Sequence, residues 1–351
     1  MTVHIVTGAT GFVGSHLLAD LLSDPDTAEV YALCRPTEEL SARQRLLDAI
    51  AGANRDLPVG AVERLVVLEA DVTRPLCGVS PERITRGGDS CVFWHLGASL
   101  QWRKGRRDET FDTNVAGTRH ALELADRAAA DLFVYVSTAY TCGSLGGDIP
   151  EALHRPASFN NAYEESKCAA EHLVAGFGGP RSLILRPSII VGSSTDYSAS
   201  GSYTGLYGYI SELRRFNEMI GDSTDTVRLS TNRDTRLSFI AVDHVVQDMR
   251  SIVLAELKAP QQTVYHVTGE SECYVGEILD YMLKLFGLQD RILTDAETIQ
   301  DPTPLERFFE KRVEFFVQYT RTEKRFVRST SPGRSVLINE LAKYIDAEVI
   351  L

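Results

Sequence analysis

The octapeptide Thr7-Gly8-Ala9-Thr10-Gly11-Phe12-Val13-Gly14 follows an apolar run, Val3–Val6, and opens an amphipathic stretch from Gly14 to Leu22. A glycine triplet alone is a weak signal. Between a strand and a helix it specifies a phosphate-binding turn. Gly8 permits the tight turn, and a side chain at Gly11 would block the approach of a pyrophosphate to the backbone. Gly14 lets the helix pack closely on the sheet. The helix start then offers free N–H groups and the positive end of its dipole. Gly8, Thr10, Gly11, Phe12, Val13 and Gly14 are therefore expected to hold a dinucleotide.

From Val3 to about Val191, short apolar runs alternate with helical stretches. Strands are expected at Val30–Leu33, Leu65–Glu69, Cys91–Leu96, Leu132–Val136 and Ser182–Leu185, and helices at Glu38–Ala51, Val115–Arg127 and Ala162–Val174. This rhythm predicts an α/β fold, a doubly wound parallel sheet of the Rossmann type with helices on both faces. Past Val191 the pattern loosens: Gly192–Tyr209 is rich in Gly, Ser, Thr and Tyr, with strand-like returns at Leu237–Ile240 and Val264–Val267. The expected organisation is a nucleotide-binding domain of residues 1–191 plus about 237–268. Residues 192–236 plus about 269–351 should form a smaller, mostly helical substrate lobe.

Cofactor choice is read where the second strand ends. An acidic residue there would bind a ribose 2′-hydroxyl; this chain has Leu33-Cys34-Arg35-Pro36. A guanidinium suits a 2′-phosphate by charge and by its forked donors, so Arg35, with Arg45 as a second clamp, predicts NADPH.

Tyr163-Glu-Glu-Ser-Lys167 sets a tyrosine and a lysine four residues apart on one helix face. A tyrosine of ordinary pKa transfers protons poorly at neutral pH. A close lysine cation would stabilise the tyrosinate and lower that pKa. Thr138 lies just past Leu132–Val136, in Val136-Ser137-Thr138-Ala139-Tyr140, where a hydroxyl can hydrogen-bond a reacting carbonyl oxygen. Thr138, Tyr163 and Lys167 are the expected catalytic group. Ser137 and Tyr140 are candidate substrate contacts; Tyr203 and Tyr207, in the Gly/Ser-rich segment, are expected to pack a loop, with substrate contact as the alternative.

With these elements the sequence resembles the extended short-chain dehydrogenase/reductases, over roughly residues 1–270. Asp71-Val72, His95-Leu96-Gly97-Ala98, Asn114-Val-Ala-Gly-Thr118 and Arg186-Pro187-Ser188 match further family stretches, with Gly97 replacing the commoner alanine. The resemblance implies that Asp71 and Val72 lie by the adenine, and that Leu96, Gly97, Ala98, Asn114, Pro187 and Ser188 line the cofactor. It also implies that the threonine polarises a carbonyl and the tyrosine moves a proton, while the lysine binds the nicotinamide ribose. Arg35, Arg45-Leu46, the run from Asp71 to Ser80, Val136–Tyr140 and Arg186–Gly192 bring the chain nearest to the fatty acyl-CoA reductase and thioester reductase branch, the male-sterility-like group. Cys77, inserted in the Pro-Leu-Gly run, departs from that branch.

The resemblance implies NADPH-dependent reduction of an acyl thioester, on coenzyme A or a carrier protein, to an aldehyde and then to an alcohol if a second hydride follows. The alternative within the fold is an NADP(H)-dependent reductase or epimerase of a ketone, aldehyde, sterol or nucleotide sugar. Phe308 to Tyr319, with Arg307, Lys311 and Arg312 interspersed, is expected to pack the substrate lobe; a wall of the acyl channel or a carrier-docking face is the functional alternative.

The net charge of −12 argues against a nucleic-acid binder. The six cysteines lack a CxxC pair and the eight histidines do not cluster, so reduced thiols and no metal site are expected. No stretch approaches the ~18 uninterrupted apolar residues of a membrane helix. A cytoplasmic protein with no membrane span is the resulting expectation.

Overall fold

The apolar runs form strands and the stretches between them helices in a computed structural model, which describes residues 1–102, 104–199, 205–221, 223, 225–296, 298–330 and 334–350. The strands are β1 (Thr2–Thr7), β2 (Thr27–Cys34), β3 (Leu65–Glu69), β4 (Ser90–His95), β5 (Leu132–Val136), β6 (Gly147–Ile149) and β7 (Arg181–Pro187). They continue with β8 (Ile189–Val191), β9 (Val227–Ser230), β10 (Arg236–Ala241), β11 (Val264–Val267), β12 (Ser271–Tyr274), β13 (Ile292–Ala296) and β14 (Lys324–Phe326). The helices are α1 (Phe12–Ser23), α2 (Ala42–Gly52), α3 (Arg107–Phe111), α4 (Gly117–Arg127) and α5 (Ala162–Gly176). After them come α6 (Leu206–Ile220), α7 (Val242–Lys258), α8 (Val275–Leu285), α9 (Pro304–Val317) and α10 (Ile338–Ile350).

The described chain divides into two compact units. The first comprises Met1–Gly143, Glu151–Pro187 and Val245–Val267. Its seven strands run in the order β11-β7-β5-β4-β1-β2-β3, every neighbouring pair parallel. This is the Rossmann-type sheet expected from the alternation. Its central strands are buried on both faces: Val3, Ile5, Val92, Phe93, Leu132, Val134 and Leu183 are all fully buried, as a sheet covered by helices requires. The strand order reverses between β1 and β4, so the chain leaves their C-terminal ends in opposite directions and opens a crevice there.

The second unit comprises Ser144–Pro150, Ser188–His244 and Thr268–Leu351. Alongside its helices it holds one three-stranded sheet, β12-β10-β8, and two strand pairs, β13-β9 and β14-β6. The strand expected at Leu237–Ile240 exists as β10, but it pairs with β8 and β12 in the second unit and not with the large sheet. The residues 144–150 and 188–191 likewise fall in the second unit. Periodicity reports that a segment is a strand; it cannot report which sheet supplies the partner.

Local rules set the helix ends. The helix expected from Glu38 starts at Ala42, because the Ser41 hydroxyl accepts the Gln44 N–H at 3.2 Å and caps it. Asn161 caps α5 by accepting the Glu164 N–H at 3.0 Å. A capping box of Thr303 and Glu306, with Pro304 at the first turn, starts α9. The helix expected from Val115 is preceded by a π-turn, Asp112–Ala116, which carries Asn114. Phe309, Val313 and Val317 of α9 are buried in the core of the second unit, with Phe309 4.3 Å from Phe216 between ring centroids. Phe308 on the other face is exposed, as are Arg307 and Lys311.

Candidate functional site

The glycine turn sits at the C-terminal end of β1, beside the end of β4. Gly8 has φ +71°, and a Cβ there would come within 2.6 Å of Gly97 N and of the Leu96 carbonyl carbon. A Cβ on Gly14 would lie 2.0 Å from Gly8 O, so Gly14 is required by the turn itself rather than by the sheet. Gly11 is exposed, and its Cβ would meet only Gly8 O at 3.3 Å. As the residue preceding α1 it has no side chain to cap the helix, so the first N–H groups of α1 keep their donors for a ligand. Thr10, Phe12 and Val13 are half-buried around it. A cradle whose inner positions exclude any Cβ, and whose outer one is open, fits the pyrophosphate of a dinucleotide.

Gly97 explains its own departure from alanine. A Cβ there would press on Thr7 Oγ1 at 3.2 Å and Val72 Cγ1 at 3.4 Å. Leu96, Gly97 and Ala98 are half-buried at the end of β4, and Asp71 and Val72 stand beyond β3. Burial pushes the Asp71 carboxyl up, but hydrogen bonds from the Thr73 N–H (3.0 Å) and hydroxyl (2.8 Å) outweigh it; with Arg35 and Arg74 they hold it below the usual range. Arg35 is 66% exposed and 4.0 Å from Asp71. Arg45 reaches back from α2 to donate to the Arg35 carbonyl, so the two arginines share one corner at the end of β2. Burial raises the Cys34 thiol between them, against the pull of both cations.

Thr138, Tyr163 and Lys167 are brought together by β5 and α5. Lys167 is 2% exposed and donates from Nζ to Val136 O at 2.7 Å, two residues before Thr138. The same ammonium lies 4.1 Å from the centroid of the Tyr135 ring, a cation–π contact. Burial lowers it to about 7, with Glu171 one helical turn on working to raise it. The Thr138 hydroxyl accepts the Tyr140 N–H at 3.3 Å, which leaves its proton to donate. Tyr163 is half-buried, one turn before Lys167.

One expectation is reversed. Desolvation pushes the Tyr163 phenol above its ordinary value and the Glu164 carboxylate adds to it, so Tyr163 keeps its proton at neutral pH. That is the state of a proton donor.

The remaining candidates divide. Ser137 is 5% exposed, and its hydroxyl is a buried polar atom with no hydrogen-bond partner among the described residues, beside Thr138. Tyr140 is buried, and burial raises its phenol, with Cys142 and Glu164 contributing. Tyr207 packs: it is 1% exposed, and its hydroxyl accepts the Gly192 N–H at 2.7 Å inside the second unit's core. It braces a loop, in place of the substrate contact that was its alternative role. Tyr203 lies outside the described residues. Asn114 is 1% exposed, and its amide binds Ser99 N (2.7 Å), Ser99 O (3.0 Å) and Ser166 Oγ (2.9 Å), so its side chain serves the protein rather than a ligand. Pro187 ends β7, and Ser188, in the second unit, donates its hydroxyl proton to Ser238 Oγ at 3.0 Å, because the Ser238 proton goes to Gly269 O at 2.7 Å.

Sequence reasoning missed a buried ion pair behind the lysine. Arg186 and Glu171 are both fully buried and form two hydrogen bonds, Nε to Oε1 at 2.8 Å and Nη2 to Oε2 at 2.6 Å. Arg186 Nη1 also lies 3.3 Å from His154 Nε2. The available signal was the four-residue step from Lys167 to Glu171, which puts both on one face of α5.

Residues 6–249 match the male sterility protein family, an NAD-binding family. The chain belongs to that family. The adenylate-forming reductase Nps9 of Serpula lacrymans is 28% identical over 190 residues, covering 50% of this chain and 17% of its own. Fatty acyl-CoA reductase 1 of Xenopus laevis is 29% identical over 224 residues, covering 53% of this chain and 42% of its own. The chain thus spans less than half the length of either relative. The crystal structure of the terminal R domain of the myxalamid biosynthetic pathway aligns with a TM-score of 0.73 at 21% identity, over 100% of this chain and 91% of that one; the likeness is one of fold. In this family member the glycine turn and the Thr138–Tyr163–Lys167 group both fall inside the matched residues and inside the first unit. No helix among the described residues is long and apolar enough to cross a membrane.

Proposed function

We propose that the protein is an NADPH-dependent reductase of acyl thioesters. The observation that carries this reading is the anchoring of Lys167 to Val136 O at 2.7 Å, which sets the lysine and Tyr163 on α5 against the strand end that bears Thr138. The reductases among the relatives, one adenylate-forming and one acting on fatty acyl-CoA by name, support thioester chemistry. The first unit would bind the nucleotide and the second the acyl chain.

Gly8, Gly11 and Gly14 would admit the pyrophosphate, Asp71, Val72 and Leu96–Ala98 would flank the adenosine and nicotinamide halves, and Arg35 with Arg45 would take the 2′-phosphate. The nicotinamide supplies the hydride. Thr138 donates a hydrogen bond to the thioester carbonyl oxygen as negative charge grows there, and the orphaned Ser137 hydroxyl beside it offers a second donor. Tyr163, which holds its proton, gives it up as the carbonyl is reduced. The C–S bond then breaks, so one hydride and one proton convert the thioester into an aldehyde and a free thiol. Lys167 faces the same region and would bind the nicotinamide ribose. The acyl group would arrive on coenzyme A or a carrier protein, in the cytoplasm, where six free buried cysteines stay reduced.

Incubation with NADPH and a panel of acyl-CoAs, carrier-bound acyl groups, aldehydes and ketones tests the reaction. One thiol is expected per NADPH oxidised to the aldehyde stage. NADPH loss with ketones and without thiol release would replace the reading with ketone reduction. Arg35→Ser is expected to raise the KM for NADPH about tenfold and leave that for NADH nearly unchanged, because a charge-assisted contact to the 2′-phosphate is lost. A wild-type preference for NADH would overturn the cofactor assignment.

A further inference from the structure

His95 ends β4 among apolar neighbours and is fully buried, stacked on the Tyr135 ring at 5.9 Å between centroids. Burial pushes its imidazole down to about 3, helped by the Lys167 charge, so the ring is neutral and carries one N–H. Its neighbours decide which nitrogen holds it. The Thr118 hydroxyl is 2.6 Å from Asn114 O, an atom that can only accept, so the single Thr118 proton goes there. His95 Nε2, 3.1 Å from Thr118 Oγ1, must then be the donor. Nδ1 is left as acceptor and takes the Thr7 hydroxyl proton at 2.7 Å. Thr7 Oγ1 in turn accepts the Gly97 N–H at 3.2 Å.

The chain of bonds continues past Asn114. Its amide donates to Ser166 Oγ at 2.9 Å, and the Ser166 hydroxyl donates to Tyr163 O at 2.8 Å. Every side chain on this path is 1% exposed or less: Thr7, His95, Thr118, Asn114 and Ser166. One end is the residue before Gly8, at the nucleotide turn; the other is the first turn of the helix that carries Tyr163 and Lys167. No hydroxyl in the path has a spare proton, so its polarity cannot reverse without breaking a buried bond.

We propose that His95 is a positioning residue: as the Nε2–H tautomer it joins the nucleotide-binding turn to the Tyr163–Lys167 helix, so that occupancy of one fixes the geometry of the other. This rests on the nucleotide and catalytic assignments above. It touches neither substrate nor cofactor, and acts through Thr7 on one side and through Thr118 and Asn114 on the other.

Nucleotide binding, read by fluorescence titration with NADPH, tests it without turnover. Ser166→Ala, at the far end of the path, is expected to weaken binding about fivefold in the wild-type background and by less than about 1.5-fold once Thr118→Val has cut the path, a coupling in the range of interacting buried groups. Equal effects in both backgrounds would overturn the proposal. His95→Gln, which keeps a donor and an acceptor, should restore part of the affinity that His95→Leu loses. If the leucine variant fails to fold, long-range ¹H–¹⁵N spectra of the intact protein remain decisive. They should show His95 with Nε2 protonated and both ring nitrogens shifting when NADPH is added; an Nδ1–H tautomer, or shifts absent on binding, would refute the path. Failure of NADPH to bind the wild type at all would sink the nucleotide assignment itself, whereas binding with additive variants sinks only the role of His95.

Discussion

Tyr163→Phe is expected to lower kcat for thioester reduction about 10³-fold, within the span typical of a lost general acid, and to leave the NADPH dissociation constant within about twofold. The substitution removes one oxygen. The ring and the α5 backbone stay, including the Ser166-to-Tyr163 carbonyl bond at 2.8 Å. What disappears is the proton that must reach the carbonyl oxygen, and the desolvation that raises the phenol keeps that proton in place until the reaction demands it. Single-turnover stopped flow with saturating NADPH separates the chemical step from binding. Retention of full rate would remove Tyr163 from the mechanism.

Arg186→Met is expected to destabilise the protein by about 3–5 kcal/mol in urea unfolding. The guanidinium is fully buried and supplies both charge-assisted bonds to a carboxylate that is itself fully buried. Without it, Glu171 would be left as a charge in the interior with no cation on those oxygens. The double variant Arg186→Met/Glu171→Leu should recover most of the loss, because replacing both partners with apolar groups removes the desolvation penalty along with the bond. The pair also serves the site, since Glu171 is the group that works against burial to keep Lys167 protonated. The double variant is therefore expected to be stable but slow, its Lys167 charge weakened. A single variant as stable as wild type would show that the pair contributes nothing, and equal losses in single and double variants would show that the effect is packing alone.

The sheet and the cofactor turn were written locally. Short continuous apolar runs spaced by helical stretches admit few arrangements, and a glycine with φ +71° between a strand and a helix admits fewer. Tyr163 and Lys167 were legible for the same reason, since a four-residue step on a helix is a fixed distance. Arg35 was legible as a charge where the second strand must end.

Tertiary structure decided what depends on which buried group meets which. Tyr207, for which substrate contact and loop packing were both open in the sequence, packs in a core where its hydroxyl meets the Gly192 N–H. The strand at Leu237–Ile240 left the large sheet because pairing partners are chosen in space. His95 and Arg186 each appeared in the sequence as the first residue of a family stretch, and only the fold supplied the partners that a buried polar group must have. By itself the sequence determined a nucleotide-binding sheet with a Tyr–Lys helix beside it. How the turn and that helix are held to one another was decided by hydrogen bonds between residues as far apart as Thr7 and His95, because their strength comes from burial, and burial exists only once the chain has folded.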